Sequence, residues 1–177
     1  MTDGFADLGL SAPLLETTTR LGYQRPTAIQ RAAIPVLRRG ANVVMHAASG
    51  AGGTAAYGLA LVDRLHETGA TAALQALVIT PTEERTAHVA RELGRLGRSL
   101  GIRAAAHAPA WSADAAIVVV PVSRVLPLIQ ASTLKLDDLK VLVIDDLSAI
   151  LTLGEAQVLE TLLQTVPRDS QRILVTS

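Results

Sequence analysis

A parallel β-sheet covered by helices on both faces is the fold class this sequence predicts, and three observations predict it. Runs of branched apolar residues alternate with amphipathic stretches of helical period. The runs are apolar throughout, as in strands buried on both faces. The connections between them are short, with no internal repeat, linker or low-complexity tract. Hydrophobic residues make up 49% and charged residues 18% of 177, which predicts one globular domain over residues 1–177 with a sizeable core. Aromatic residues are only 2%, so Ala, Val, Leu and Ile must fill that core.

Each element follows from local chemistry. Ser11 can cap a helix running to Leu21, with Pro13 tolerated in its first turn. Thr27 can cap a second helix, 28–38, which Gly40 ends. Residues 42–46 read as a short buried strand, 50–53 as a glycine-bearing loop and 54–66 as a helix. A strand at 74–80 precedes a long amphipathic helix at 83–100. Strands at 102–107 and 116–120, a short helix at 123–130, a strand at 140–145, a helix at 155–166 and a last strand at 172–176 complete the chain. In such sheets ligands sit at the carboxyl ends of the strands, so the residues just after strands are the functional candidates.

Composition narrows the classes. With no cysteine there are no disulfides or thiolate metal sites. No basic segment with a following apolar stretch opens the chain and no run of about 18 apolar residues occurs, so a soluble cytoplasmic protein without membrane contact is expected. Sixteen basic residues balance sixteen acidic ones, which lowers the expectation of a dedicated nucleic-acid module. Lys135 and Lys140 are the only lysines. His46, His66, His88 and His107 lack ligand spacing, and Trp111 reads as a packed loop residue before a base-stacking one.

Between the first strand and the third helix lies Ala47-Ala48-Ser49-Gly50-Ala51-Gly52-Gly53-Thr54. Small residues at a strand-to-helix junction let backbone N–H groups converge on an anion, and the helix dipole adds to them. A phosphate loop wants Gly-Lys-Ser/Thr at its end; Gly52 and Thr54 fit, and Gly53 stands where lysine should be. Taken alone, the loop reads equally as a flexible turn.

Upstream come Phe5 and Gly22-Tyr23-Gln24-Arg25-Pro26-Thr27-Ala28-Ile29-Gln30; downstream come Pro81-Thr82-Glu83-Glu84-Arg85-Thr86, Val120-Pro121-Val122-Ser123-Arg124, Val143-Ile144-Asp145-Asp146-Leu147-Ser148 and Val175-Thr176-Ser177. This series resembles, in order and over residues 5–177, the motifs of the N-terminal domain of DEAD-box RNA helicases. The resemblance implies a RecA-like, P-loop NTPase fold that binds ATP or ADP with Mg2+, and a partnership with RNA and with a second RecA-like domain or another protein. Nucleotide would meet Phe5, Gln30, Ser49, Gly50, Ala51, Gly52, Gly53 and Thr54. Phe5 would stack on the base, and the Gln30 amide, donor and acceptor at once, would pair with the adenine edge. The alternative for Thr27 and Gln30 is a capping box alone. Mg2+ would be held through Thr54 and Asp145, with Asp145 and Asp146 as the catalytic carboxylates. Pro81, Thr82 and Arg124 would meet RNA.

The departures from the family pattern matter as much. Besides the missing lysine, Glu83 replaces an arginine, Asp146 replaces a glutamate that orients water, and Ser148 replaces an aspartate that links the nucleotide to the last strand. Only residues 108–115 join two strands where the family carries a glycine doublet and a helix. Losing one preorganised charge stabiliser typically costs roughly 100- to 1000-fold in turnover. Weak nucleotide binding with impaired ATPase is therefore expected. The alternatives are a working half of a two-domain helicase, or a RecA-like module used only for protein interaction or dimerisation.

Overall fold

The computed structural model describes residues 4–69, 74–106 and 114–177. His107, Trp111 and most of the 108–115 connection therefore lie outside the described residues. A 3-10 turn, Phe5–Leu8, leads into α1 (Ala12–Arg20), with Ser11 at its N-cap and Pro13 in its first turn. Instead of capping, the Ser11 N–H and hydroxyl both donate to the carboxylate of Asp63 on α3, which ties the N-terminal segment to the core. Asp63 is fully buried and paired with Arg38 at 2.5 Å. The second helix, α2 (Ala28–Arg38), is capped by Thr27, whose hydroxyl accepts from the Gln30 N–H.

Next come β1 (Val43–His46), α3 (Gly53–Glu67), β2 (Ala76–Thr80) and α4 (Glu83–Gly97), the last capped by the Thr82 hydroxyl. The helix expected to reach residue 100 ends at Gly97 and finishes as a 3-10 turn, Arg98–Leu100. A side chain on Gly97 would put its Cβ 2.3 Å from the Ile102 carbonyl, so the chain can turn there only with glycine. Three residues, Ala104–Ala106, form β3. The remaining elements are β4 (Ile117–Pro121), α5 (Val122–Gln130), β5 (Val141–Ile144), α6 (Leu147–Thr152), α7 (Ala156–Thr165) and β6 (Gln171–Thr176). The short α6 has no counterpart in the sequence reading, because six residues are too few to show a period.

All strand pairs are parallel, in the order β1-β6-β5-β2-β4-β3. Alternate side chains of each strand feed two cores. Val78, Val119, Val143 and Ile173 pack beneath α2, α3 and α4. Leu77, Val118, Leu142 and Ile144 face the other way, toward α5 and α7. The sheet is RecA-like, and its order gathers the carboxyl ends of β1, β6, β5 and β2 along one rim. Among the described residues, no helix is long and apolar enough to cross a membrane.

Candidate functional site

A cavity of about 400 Å³ opens on that rim. Its floor is the loop after β1 and the first turn of α3. Gly50 and Gly52 sit at φ 79° and 88°, in the left-handed region. At Gly52 a side chain would also bring its Cβ within 2.5 Å of Gln30 Nε2, so this position admits only glycine. Gly53 has no such requirement: its φ is ordinary, and a Cβ would meet Ala47 Cβ at 3.0 Å. Among the described residues no hydrogen bond takes up the N–H groups of Gly50, Gly52, Gly53 or Thr54, which leaves them for an anion. Ser49 also lines the cavity. Ala51 does not, and its N–H donates to the Ala48 carbonyl at 3.0 Å.

Gln30 enters the same cavity and is 3% exposed. Its Oε1 accepts the Thr27 N–H at 2.9 Å and its Nε2 donates to the Gly52 carbonyl at 3.4 Å. The capping box and the pocket lining are thus one arrangement rather than alternatives, since helix cap and phosphate loop share this side chain. Phe5 is displaced from its expected place. It is buried, packing its ring edge against Tyr23 with centroids 5.8 Å apart. Tyr23 is the aromatic residue that lines the cavity. The Tyr23 hydroxyl donates to Glu92 at 2.6 Å; burial and this carboxylate push its pKa up, so it stays neutral. The motif glycine-aromatic pair carried the signal for Tyr23, but Phe5, earlier in the chain, drew the assignment.

Asp145 follows β5 and is buried. Because β5 pairs with β2, the first turn of α4 lies beside it. From that turn Arg85 Nη2 reaches 3.1 Å from both Asp145 oxygens and donates to Thr54 Oγ1 at 3.0 Å. Behind them the Tyr57 hydroxyl donates to Asp145 Oδ2 at 2.8 Å. Tyr57 is wholly buried; burial first, then the Asp145 charge, holds its pKa well above the usual tyrosine range. Partial burial opposes the charge of Arg85, but Asp145 more than offsets it and leaves the guanidinium pKa above its ordinary value. Neither Arg85 nor Tyr57 was expected at the site.

These contacts bear on Mg2+. The ion takes oxygen ligands at about 2.0–2.1 Å in near-ideal octahedral geometry. Thr54 and Asp145 both already bind a guanidinium, whose charge a divalent cation would meet directly. As built, this donor set does not fit Mg2+.

Asp146 adopts φ 65° and caps α6, its Oδ1 accepting the Ala149 N–H at 3.2 Å. One carboxylate oxygen expected to orient water is therefore spent on a helix end. Ser148 keeps a tie to the last strand: its Oγ lies 2.5 Å from Thr176 Oγ1 and donates to the Ser177 carbonyl at 3.2 Å. On the rim beyond, Pro81 and Thr82 close β2, and Arg124 opens α5. The Arg124 guanidinium pairs with Glu83 at 2.8 Å, both side chains about half exposed.

The DEAD/DEAH box helicase family model matches residues 27–177. The chain is 34% identical to the DEAD-box ATP-dependent RNA helicase CshA of Streptococcus pneumoniae over 96% of its own length and 34% of that protein's. It is also 34% identical to the ATP-dependent RNA helicase DeaD of Escherichia coli, covering 96% of this chain and 28% of that one. A DEAD box protein from Methanococcus jannaschii superposes with a TM-score of 0.88 at 26% identity, over 98% of this chain and 49% of that one. The helicase Prp28 of Chaetomium thermophilum, solved bound to ADP, gives 0.87 at 25% identity, over 99% and 45%. The chain thus spans about a third of the length of the curated relatives it matches.

Proposed function

The chain belongs to the DEAD/DEAH box helicase family, and from that premise we propose that residues 1–177 form one RecA-like domain that binds an adenine nucleotide weakly and hydrolyses it poorly. The observation that carries this reading is the convergence of Tyr23, Gln30, the loop amides, Thr54 and Asp145 on one cavity. Tyr23 offers a flat ring for a base, and Gln30 a donor and an acceptor for adenine. The loop amides and the α3 N-terminus offer phosphate recognition without the lysine charge. Impaired hydrolysis rests on Gly53 in place of the loop lysine and on Asp146 as a helix cap. Titration calorimetry with ADP and ATP tests the reading: dissociation constants in the high micromolar range are expected, and no heat at millimolar nucleotide would refute it. A cytoplasmic setting and a second RecA-like domain, in a longer protein or another chain, belong to the same proposal.

RNA contact through Pro81, Thr82 and Arg124 is proposed as weakened, because Glu83 neutralises Arg124 on the rim. Glu83→Arg should reverse this by restoring a cation and releasing Arg124. Single-strand binding should strengthen roughly tenfold near 0.1 M salt, and the log–log salt slope should steepen by about 0.7 for each phosphate newly engaged. Fluorescence anisotropy of a labelled oligoribonucleotide across a salt series measures both, and an unchanged slope would show that this rim does not carry RNA.

A further inference from the structure

We propose that the Arg85 guanidinium takes the place of the divalent metal, so that this pocket binds nucleotide phosphates without a metal ion. The inference rests on the nucleotide-pocket reading and specifies how that pocket supplies its positive charge.

Several observations carry it. Arg85 Nη2 engages Thr54 Oγ1 and both Asp145 oxygens, the groups through which a metal would be held. The other donors of the same guanidinium, Nη1 and Nε, carry no hydrogen bond among the described residues, and the side chain is 35% exposed on the cavity. A guanidinium fork matches phosphate oxygens in shape as well as charge. Arg85 also sits in the first turn of α4, where a cation opposes the helix dipole; the Asp145 carboxylate compensates, so the site and not the helix favours a charge there. Finally, Gly53 projects no cation, which leaves Arg85 as the basic side chain lining the cavity apart from His88. The facing carboxylates are otherwise committed: Glu92 accepts from Tyr23 and Arg95, and Asp146 caps α6.

The test is calorimetry with ADP, in excess EDTA and in excess Mg2+, on the wild-type chain, Arg85→Leu and Arg85→Lys. Wild-type affinity should agree within about twofold between the two conditions. Arg85→Leu should lose roughly tenfold in EDTA, the size expected for hydrogen bonds to a charged group. Freed of the guanidinium, Thr54 and Asp145 should then make binding by this variant depend on Mg2+. Electron spin resonance of Mn2+ should show metal bound with ADP by Arg85→Leu and none by the wild type. Arg85→Lys keeps the charge without the fork and should fall between the two. A wild-type affinity that rises tenfold or more with Mg2+ overturns the inference while leaving the nucleotide pocket standing. No ADP binding by any form in either condition overturns both. If the variants lose their cooperative unfolding transition, the wild-type comparison with and without Mg2+, together with its Mn2+ signal, decides alone.

Discussion

Gly53→Lys is expected to raise ATP affinity by roughly 10- to 100-fold, more than it raises ADP affinity. A new hydrogen-bonded charge on the terminal phosphates contributes about 1.5–3 kcal/mol, which converts to that range at about 1.4 kcal/mol per factor of ten. The backbone permits the change: Gly53 is the first residue of α3 with an ordinary φ. The new Cβ would meet Ala47 Cβ at 3.0 Å, so the loop must give by a few tenths of an ångström. Two cations would then line one cavity, so the effects of residues 53 and 85 should not add. With Arg85 retained, the gain should appear with or without Mg2+; combined with Arg85→Leu, it should appear mainly with Mg2+. Hydrolysis should not rise in step, because Asp146 still caps α6. Calorimetry with both nucleotides, beside a phosphate-release assay, separates these outcomes. Unchanged ATP affinity in a folded Gly53→Lys variant would mean that the loop does not face the phosphates.

Much of the fold was legible because its signals are local. The apolar runs at Ala76–Thr80, Ile117–Pro121 and Val141–Ile144 are unmistakable as buried strands, and Thr27 marks a helix start by capping chemistry alone. The strand order was not legible, because parallel strands joined by helices can be arranged in many orders with the same local pattern. That gap hid the most consequential contact. Arg85 was visible as a charged residue in the string that follows β2, but its reach to Asp145 depends on β2 lying beside β5. The Glu83–Arg124 pair needed the adjacency of β2 and β4 in the same way. Tyr57 carried no signal of its own within α3, since nothing local distinguishes a buried hydroxyl with a partner from a filled core site.

Tyr57→Ala is expected to cost the most stability, about 4 kcal/mol, within the range for truncating a large buried aromatic side chain. The residue is fully buried between α3 and the sheet, and its deletion would leave a cavity beneath the nucleotide loop. Tyr57→Phe separates packing from polarity. It keeps the ring but removes the hydroxyl that donates to Asp145 at 2.8 Å, leaving that buried carboxylate with Arg85 alone. Such a loss costs about 1–3 kcal/mol. The two variants should therefore fall in order in urea denaturation, with Tyr57→Phe between the wild type and Tyr57→Ala. The pH dependence has a definite sign. Because the folded pKa of Tyr57 is raised, its neutral form is the one folding favours. That contribution is complete below the ordinary tyrosine value of about 10 and is lost as pH rises above it. Wild-type stability should fall steeply in that alkaline range and less steeply in Tyr57→Phe. The remaining slope comes partly from Tyr23, whose pKa is raised by burial and by Glu92. Equal alkaline slopes in the wild type and Tyr57→Phe would show that the Tyr57 hydroxyl is not held in the buried contact with Asp145. In that case Asp145 would answer to Arg85 alone, and the buried face of the site would be built differently from the bond described here.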